Sequence, residues 1–557
     1  MAEQAQKTSG GGFIRHTRNL SVSVLLSRIL GLLRDMIMSA VLGGGVLMSA
    51  WVQASTFANI FRQVLGEGAL GQALVPILAQ TMKERGPEAA RKLFTTLFIY
   101  LTMFLTILTV LISVPVFLLA DWFTSPIWNM TARLMPIVMP YAVFICAVGV
   151  MTSYMNMLRE FFLPSLTAII QNLVIIGAML FVCPFFAPGW NTVRAIAFSV
   201  LAAGVIELLF MLWLLRRSNM QMIFSRDVWR DYAGLREIFT VALPGIIAAS
   251  AHILSTLADR LLSGNIPKFA GEIGNYATSS LYYTDRLVLL PIGIFAFAFG
   301  TVALTEMSRS HADGDRAAFL STLDFSLKTL LFITVPMTAF LFLFGEPVLK
   351  LLFMRGEFDT TALEQTVFAL RFYVFGIPAF AALKITVTAF TSRKDMKTPF
   401  YTGITAILIN FILNVILMFP LRQGGIALAT VVSSYINNLL LLCLLRRQLG
   451  ESLPARAFLV FLLKLAAVSV LPLAAAYPAF AGMRMLAGNL PVPGACPPIA
   501  HALRFLYGCI PLGTAAILYG GLLFVCARFA GMSEAHAVLA MVRRRGKTKK
   551  PEPIKEN

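Results

Sequence analysis

Charge is what this sequence has least of. Only 13% of its 557 residues are Asp, Glu, Lys or Arg, about half the share of a soluble domain, which excludes an ordinary water-soluble fold. The six cysteines (Cys146, Cys183, Cys443, Cys496, Cys509 and Cys526) are scattered, mostly in apolar stretches, with no CxxC pair; neither a disulfide framework nor a thiolate metal site is expected. Five dispersed histidines and no HExxH remove the zinc-hydrolase reading. Acids are outnumbered 27 to 46 by Lys and Arg, and no acidic cluster stands where a lipid-using glycosyl- or phosphotransferase would need one. Gly546-Lys547-Thr548 is a fragment of a phosphate-binding loop that lacks the upstream glycine and the preceding strand.

What the chain does have is long apolar runs: 58% of its residues are hydrophobic and its mean hydropathy is +0.78. A bilayer is crossed by about 20 apolar residues, and fourteen such windows fit the sequence, from 19–43 to 503–529. The expected fold is an all-α integral membrane protein of about fourteen transmembrane helices. Lys and Arg concentrate in alternate connections, among them Lys83, Arg85 and Arg91, then Arg393, Lys394 and Lys397, then the tail from Arg543 to Lys550. The positive-inside rule then places both termini in the cytoplasm. It also accounts for the +19 net charge without nucleic acid as a partner. Two arginines in the first span, with no small-residue cleavage site before Arg28, argue against a removable signal peptide.

A faint internal repeat runs at offsets of about 225 to 240 residues, pairing Arg62 with Arg286 and the Arg159–Pro164 hairpin with Arg393–Pro399. It predicts two pseudo-symmetric six-helix lobes plus two extra C-terminal helices, a transporter plan with the substrate between the repeats. The expected divisions are a cytoplasmic tail 1–18, an N-lobe 19–217, a C-lobe 218–447, a two-helix segment 448–530 and a basic cytoplasmic tail 531–557.

An arginine at membrane depth costs roughly 2.5 to 3.5 kcal/mol on insertion scales, so it faces protein or a wet cavity. The first span carries Arg28, Arg34 and Asp35; others carry Arg62, Glu67, Asp259, Arg260, Asp285 and Arg286. Each acid could simply neutralise a neighbouring arginine; Arg28 and Asp35, seven apart, share a helix face. As a set, arginines in the first halves of spans one, two and eight point to a basic chamber for an anionic, phosphate-bearing cargo, because the planar guanidinium grips phosphate with two hydrogen bonds. Gly43, Gly66, Gly68 and Pro291 are candidates either for close packing or for hinges. Asp259, with Ser255 and Thr256 one turn away, either pairs with Arg260 or offers a hard cation its oxygens.

Four motifs carry a family resemblance. They are Ser27-Arg28-Ile29-Leu30-Gly31 with Arg34-Asp35; Asn59-Ile60-Phe61-Arg62 followed by Gly66-Glu67-Gly68-Ala69 and Leu74-Val75-Pro76; Tyr282-Tyr283-Thr284-Asp285-Arg286 followed by Leu290-Pro291 and Gly293; and Ser392-Arg393-Lys394-Asp395 with Lys397-Thr398-Pro399. In this order they resemble the MurJ/MviN lipid II flippases of the MOP transporter superfamily. The resemblance implies a protein of the bacterial cytoplasmic membrane that moves the undecaprenyl-diphosphate-linked peptidoglycan precursor, lipid II, from the inner to the outer leaflet by alternating access. It implies no catalysis and no cofactor, with drive from an ion gradient such as Na+ or from the membrane potential. Arg28, Arg34, Arg62 and Arg286 match arginines that line the family's cavity or are needed for activity, with Asp35 and Asp285 beside them, and spans thirteen and fourteen match a groove for the lipid tail. Partners would be lipid II, membrane lipids and other cell-wall synthesis proteins. Departures stand at Ser49, where many relatives carry an acid, at Ala58, where they carry proline, and at Gln63, where they carry a second basic residue. The nearest rival is a MOP-superfamily exporter of other undecaprenyl-linked oligosaccharides or of drugs.

Overall fold

In lipid every backbone polar group has to be satisfied within its own segment, so apolar runs of this length fold as helices. The computed structural model describes residues 23, 25–66, 69–158, 160–218, 221–223, 232–450, 455–488, 497–536 and 538. Gly68, Glu67, Arg159, the tail 1–18 and most of the tail 531–557 lie outside the described residues. Among the described residues there is no strand.

Helix α1 covers residues 25–42. It is followed by α2 (Val46–Phe61), a π-turn (Arg62–Gly66), α3 (Ala69–Leu118), α4 (Pro126–Val138) and α5 (Pro140–Met157). Next come α6 (Phe162–Ser165), α7 (Thr167–Phe181), α8 (Trp190–Arg217), α9 (Tyr232–Ser263) and α10 (Pro267–Ala270). Then follow α11 (Ala277–Ala312), α12 (Arg316–Phe353), α13 (Thr360–Tyr373), α14 (Gly376–Thr391) and α15 (Lys397–Leu449). The chain closes with α16 (Ala455–Val470), α17 (Leu473–Gly488) and α18 (Pro497–Phe529).

The expected number of fourteen spans is not established. By length and composition, eight helices among the described residues can cross a membrane, or nine if α13 and α14, bent by 46°, form one broken span. Part of the difference is that some elements hold two legs. Gly86 interrupts α3 at φ 85°, and Arg422 interrupts α15 at φ 49°, each inside a connection expected from the hydropathy pattern.

The chain groups into two compact units. One comprises the described residues up to Tyr282 with Phe353–Thr366 and Phe411–Ile426. The other comprises Tyr283–Leu352, Val367–Asn410 and the chain from Ala427 onward. In the first, α3 packs on α5 and α9, α2 on α4, and α8 on α5 and α7. Phe94 stacks on Tyr154 at 4.3 Å. Glycine lets α8 close on α5: a Cβ at Gly204 would stand 2.9 Å from the Tyr141 ring. In the second unit, α16 and α18 lean on α12, where Phe332 meets Phe461, Leu465 and Leu523. About three turns further along α12, Phe344 packs with Phe480 and Tyr519.

Candidate functional site

Helix α1 carries the first two arginines in different settings. Arg28 is exposed, on a face it shares with exposed Leu25 and Ile29. The Arg34 side chain is 17% exposed and that of Asp35 only 3%. Arg34 donates to Asp35 Oδ1 through Nη2 at 2.8 Å and Nε at 3.1 Å. The Tyr282 hydroxyl donates to the same oxygen at 3.0 Å. Arg34, the adjacent residue, and Tyr282 are thus among the partners of Asp35. Seven residues of helix rise about 10.5 Å, whereas the long Arg34 side chain folds back onto its neighbour and reaches the buried carboxylate directly.

Arg62 opens the π-turn and is half-buried, its Nε donating to Asn59 Oδ1 at 3.1 Å. The extra residue in the turn brings the backbone of Gly66 onto α5: a Cβ at Gly149 would stand 2.4 Å from the Gly66 carbonyl oxygen and 2.6 Å from its carbon. Gly66 thus has a packing role on this face. Gly43 has one too, at φ +69°, with a Cβ there falling 2.5 Å from the Glu357 carbonyl oxygen. Pro291 lies within α11, which continues past it. In the second unit, Asp285 is half-buried and Arg286 exposed on α11, just after the fully buried Tyr283.

The corner between α1 and α2 holds a set of side-chain to backbone hydrogen bonds that the motifs did not announce. The Ser39 hydroxyl lies 2.8 Å from the Met36 carbonyl and 3.1 Å from that of Phe353. The Glu357 amide donates to the Ala40 carbonyl at 2.9 Å, and the Ser279 hydroxyl to the Gly44 carbonyl. Ser49, where an acid was the family expectation, donates to the Asn275 carbonyl at 2.7 Å. Gln53, an isolated amide in an apolar stretch and 1% exposed, donates to the Arg260 carbonyl at 2.5 Å. Arg260 is buried and donates to the Thr278 carbonyl at 3.2 Å. Glycine is required at two of these positions: a Cβ at Gly43 would stand 2.5 Å from the Glu357 carbonyl oxygen and one at Gly44 2.4 Å from the Ala362 Cβ. Beside this corner the Tyr276 hydroxyl donates to Asp359 at 3.3 Å.

Asp259 accepts from Asn414 Nδ2 at 2.6 Å. The Asp259 carboxylate, the amide oxygen of Asn414 and the hydroxyls of Ser255 and Thr256 are the oxygen donors a hard monovalent cation takes. No group of three or more His, Cys, Asp or Glu side chains that could hold a metal occurs among the described residues. Outside the membrane segments, the fourth motif is a helix start. Asp395 accepts from the Thr398 amide at 3.0 Å and hydroxyl at 2.6 Å, and from Gln448 at 3.0 Å.

Set beside known proteins, the family model described as lipid II flippase MurJ matches residues 38–489. The chain belongs to this family. It is 30% identical over 436 residues to the probable lipid II flippase MurJ of Vibrio cholerae, covering 76% of this chain and 81% of that one. It is 28% identical over 449 residues to the lipid II flippase MurJ of Burkholderia cenocepacia, covering 79% and 85%. Among solved structures it is similar to a lipid II flippase MurJ in an inward closed conformation, with a TM-score of 0.70 and 22% identity over 92% of this chain and 99% of the other. A multidrug resistance MATE family transporter of the MOP superfamily, in an inward-facing conformation, follows at a TM-score of 0.60 and 16% identity over 77% and 98%. At these identities the structural matches speak for the fold alone, and the fold is that of a multi-pass membrane transporter.

Proposed function

We propose that the chain is a lipid II flippase, carrying the undecaprenyl-diphosphate-linked peptidoglycan precursor from the inner to the outer leaflet of the bacterial cytoplasmic membrane without a chemical step. The observation that carries this reading is the family match over residues 38–489. The physical case agrees with it: a bare diphosphate cannot pass about 30 Å of hydrocarbon unaided. Arginines held at membrane depth, while the polyprenyl tail stays in lipid, lower that barrier.

Arg28, Arg62 and Arg286 are the residues assigned to the diphosphate. Arg34, already bound to Asp35, supports the same helix and becomes available to the cargo if that pair opens; Asp285 stands beside Arg286. Gly43, Gly66, Gly68 and Pro291 are assigned to the alternation between states, by which the α1–α2 corner opens. With both termini in the cytoplasm, that corner faces outward. The lobes 19–217 and 218–447, and the segment 448–530 as a lipid-tail groove, complete the assignment; exposed Leu463, Leu471 and Ile517 on α16 to α18 suit the last. Membrane lipids and other cell-wall synthesis proteins are its further partners. Asp259 and Asn414 supply oxygens for a coupling Na+, with the membrane potential as the other drive.

Complementation of a flippase-depleted strain tests the assignment: Arg28→Ala and Arg286→Ala, at normal membrane levels, are expected to fail, and full rescue by either would remove that residue from the site. Purified chain in vesicles, given lipid II with and without a Na+ gradient or a potential, is expected to flip it faster with one of them. If Asp259→Ala kept the full Na+ response, the cation role would end while the flippase reading stood.

A further inference from the structure

A cavity of about 380 Å³ opens in the first unit where α3 gives way to α4, away from every residue assigned above. Its apolar lining includes Phe57 of α2, Ile112 and Val116 of the last turns of α3, and Met135 of α4. Its polar lining includes Ser125, Asn265 and the cationic Lys268, and the indoles of Trp122 and Trp128 complete it. On the neighbouring face of α3, Val114, Phe117 and Leu118 are exposed, as side chains against hydrocarbon are. Tryptophans at such a boundary mark the membrane interface.

Ser125 points to the ligand. It occupies the N-cap of α4, where a serine hydroxyl ordinarily accepts a backbone N–H of the first turn, yet its side chain makes no such bond. The residue is 6% exposed, and its buried Oγ has no hydrogen-bond partner while it lines the cavity. A buried hydroxyl left without a partner is unfavourable, and forgoing the cap adds to that cost. An acceptor in the cavity removes the first cost outright. The amino-terminal end of a 13-residue helix adds the positive end of its dipole, and the exposed Lys268 lines the same cavity. A hydroxyl donor, a lysine and a helix start in a cavity otherwise walled by apolar side chains suit an amphiphile with a negative head.

We propose that this cavity binds one anionic glycerophospholipid, its phosphate accepting from Ser125 and Lys268 at the start of α4 and one acyl chain lying along Phe57, Ile112 and Val116. The proposal requires only that the helices lie in a bilayer and does not depend on the identity of the transported cargo.

Native mass spectrometry of the full chain, released from detergent with phosphatidylglycerol or phosphatidylcholine, reads the retained lipid. The chain is expected to hold one phosphatidylglycerol in preference to phosphatidylcholine. The double variant Ser125→Ala/Lys268→Gln should lower its retention roughly tenfold or more, the scale of losing charge-assisted hydrogen bonds. A photoreactive residue in place of Val116 should crosslink to the lipid. Arg309→Gln, an exposed cation on α11, should leave retention as it was. Unchanged phosphatidylglycerol binding in the double variant, or an equal loss with Arg309→Gln, would overturn the site. Displacement of the lipid by a soluble N-acetylglucosamine disaccharide would reassign the cavity to sugar and overturn the phospholipid as well.

Discussion

Asp35 is the most exacting place to test the geometry, because the structure and the helical spacing give it different partners. At the 2.8 Å of the Arg34 contact, two unit charges attract by about 6 kcal/mol at an effective dielectric near 20. At the roughly 10.5 Å of axial rise to Arg28 the same expression gives about 1.6 kcal/mol. Desolvation offsets most of the larger figure, so the pair contributes little net stability while intact, but breaking it is costly. Asp35→Leu removes the carboxylate that the largely buried Arg34 guanidinium binds and is expected to cost about 3–5 kcal/mol. The Tyr282 hydroxyl loses its acceptor at the same time, and Tyr282→Phe by itself removes a hydrogen bond to a charged group, about 1.5–3 kcal/mol. The double variant Arg34→Met/Asp35→Leu should recover much of the loss, because the Arg34 charge is then removed together with the carboxylate it binds. Thermal unfolding in mild detergent reads the order: Asp35→Leu lowest, the Arg34 double variant above it. If Arg28→Met/Asp35→Leu recovered stability and the Arg34 combination did not, the assigned pairing would be refuted.

Two further outcomes follow from packing and from a cap. Gly149→Ala drives a Cβ to 2.4 Å from the Gly66 carbonyl oxygen; with backbone on both sides it should cost about 1–3 kcal/mol and displace Arg62, whereas Gly177→Ala, with nothing within 4 Å, should be neutral or gain up to about 1 kcal/mol in the same unfolding assay. At Asp395 burial alone would raise the carboxyl, but bonds from the Thr398 hydroxyl and amide, from Gln448 and from the Lys397 amide outweigh it and hold it below the ordinary value. The folded state therefore binds this proton less readily than the unfolded one, so the contribution is complete above the ordinary carboxylate pKa of about 4 and is lost as pH falls through the lowered folded value. Asp395→Asn should flatten that acid limb of the melting profile, and parallel profiles for the two proteins would contradict it.

The membrane class was legible because hydropathy is additive along the chain: a run that excludes charge announces its helix whatever it packs against. The connections were legible for the same reason, and Gly86 and Arg422 break their helices inside the expected ones. The number of spans was not, because breaks within a span follow tertiary packing. The π-turn at Arg62–Gly66 exists with the Gly66 backbone seated on Gly149, a neighbour 83 positions away that no local pattern names.

The candidate site divides along the same line. Which residues are costly in a membrane follows from their chemistry, so Arg28, Arg34, Arg62 and Asp259 could be singled out from sequence. What each cost is balanced by depends on distance in space. Tyr282 reaches Asp35 across 247 positions, and Asn414 reaches Asp259 across 155. Ser49 shows why a missing charge does not mean a missing function. A carboxylate accepts hydrogen bonds and a serine hydroxyl can donate one, so an acid would need a donor where Ser49 uses the Asn275 carbonyl. At this corner Ser49 donates where an ionised carboxylate could only accept, and Ser39, Ser279 and Gln53 add further bonds to backbone carbonyls.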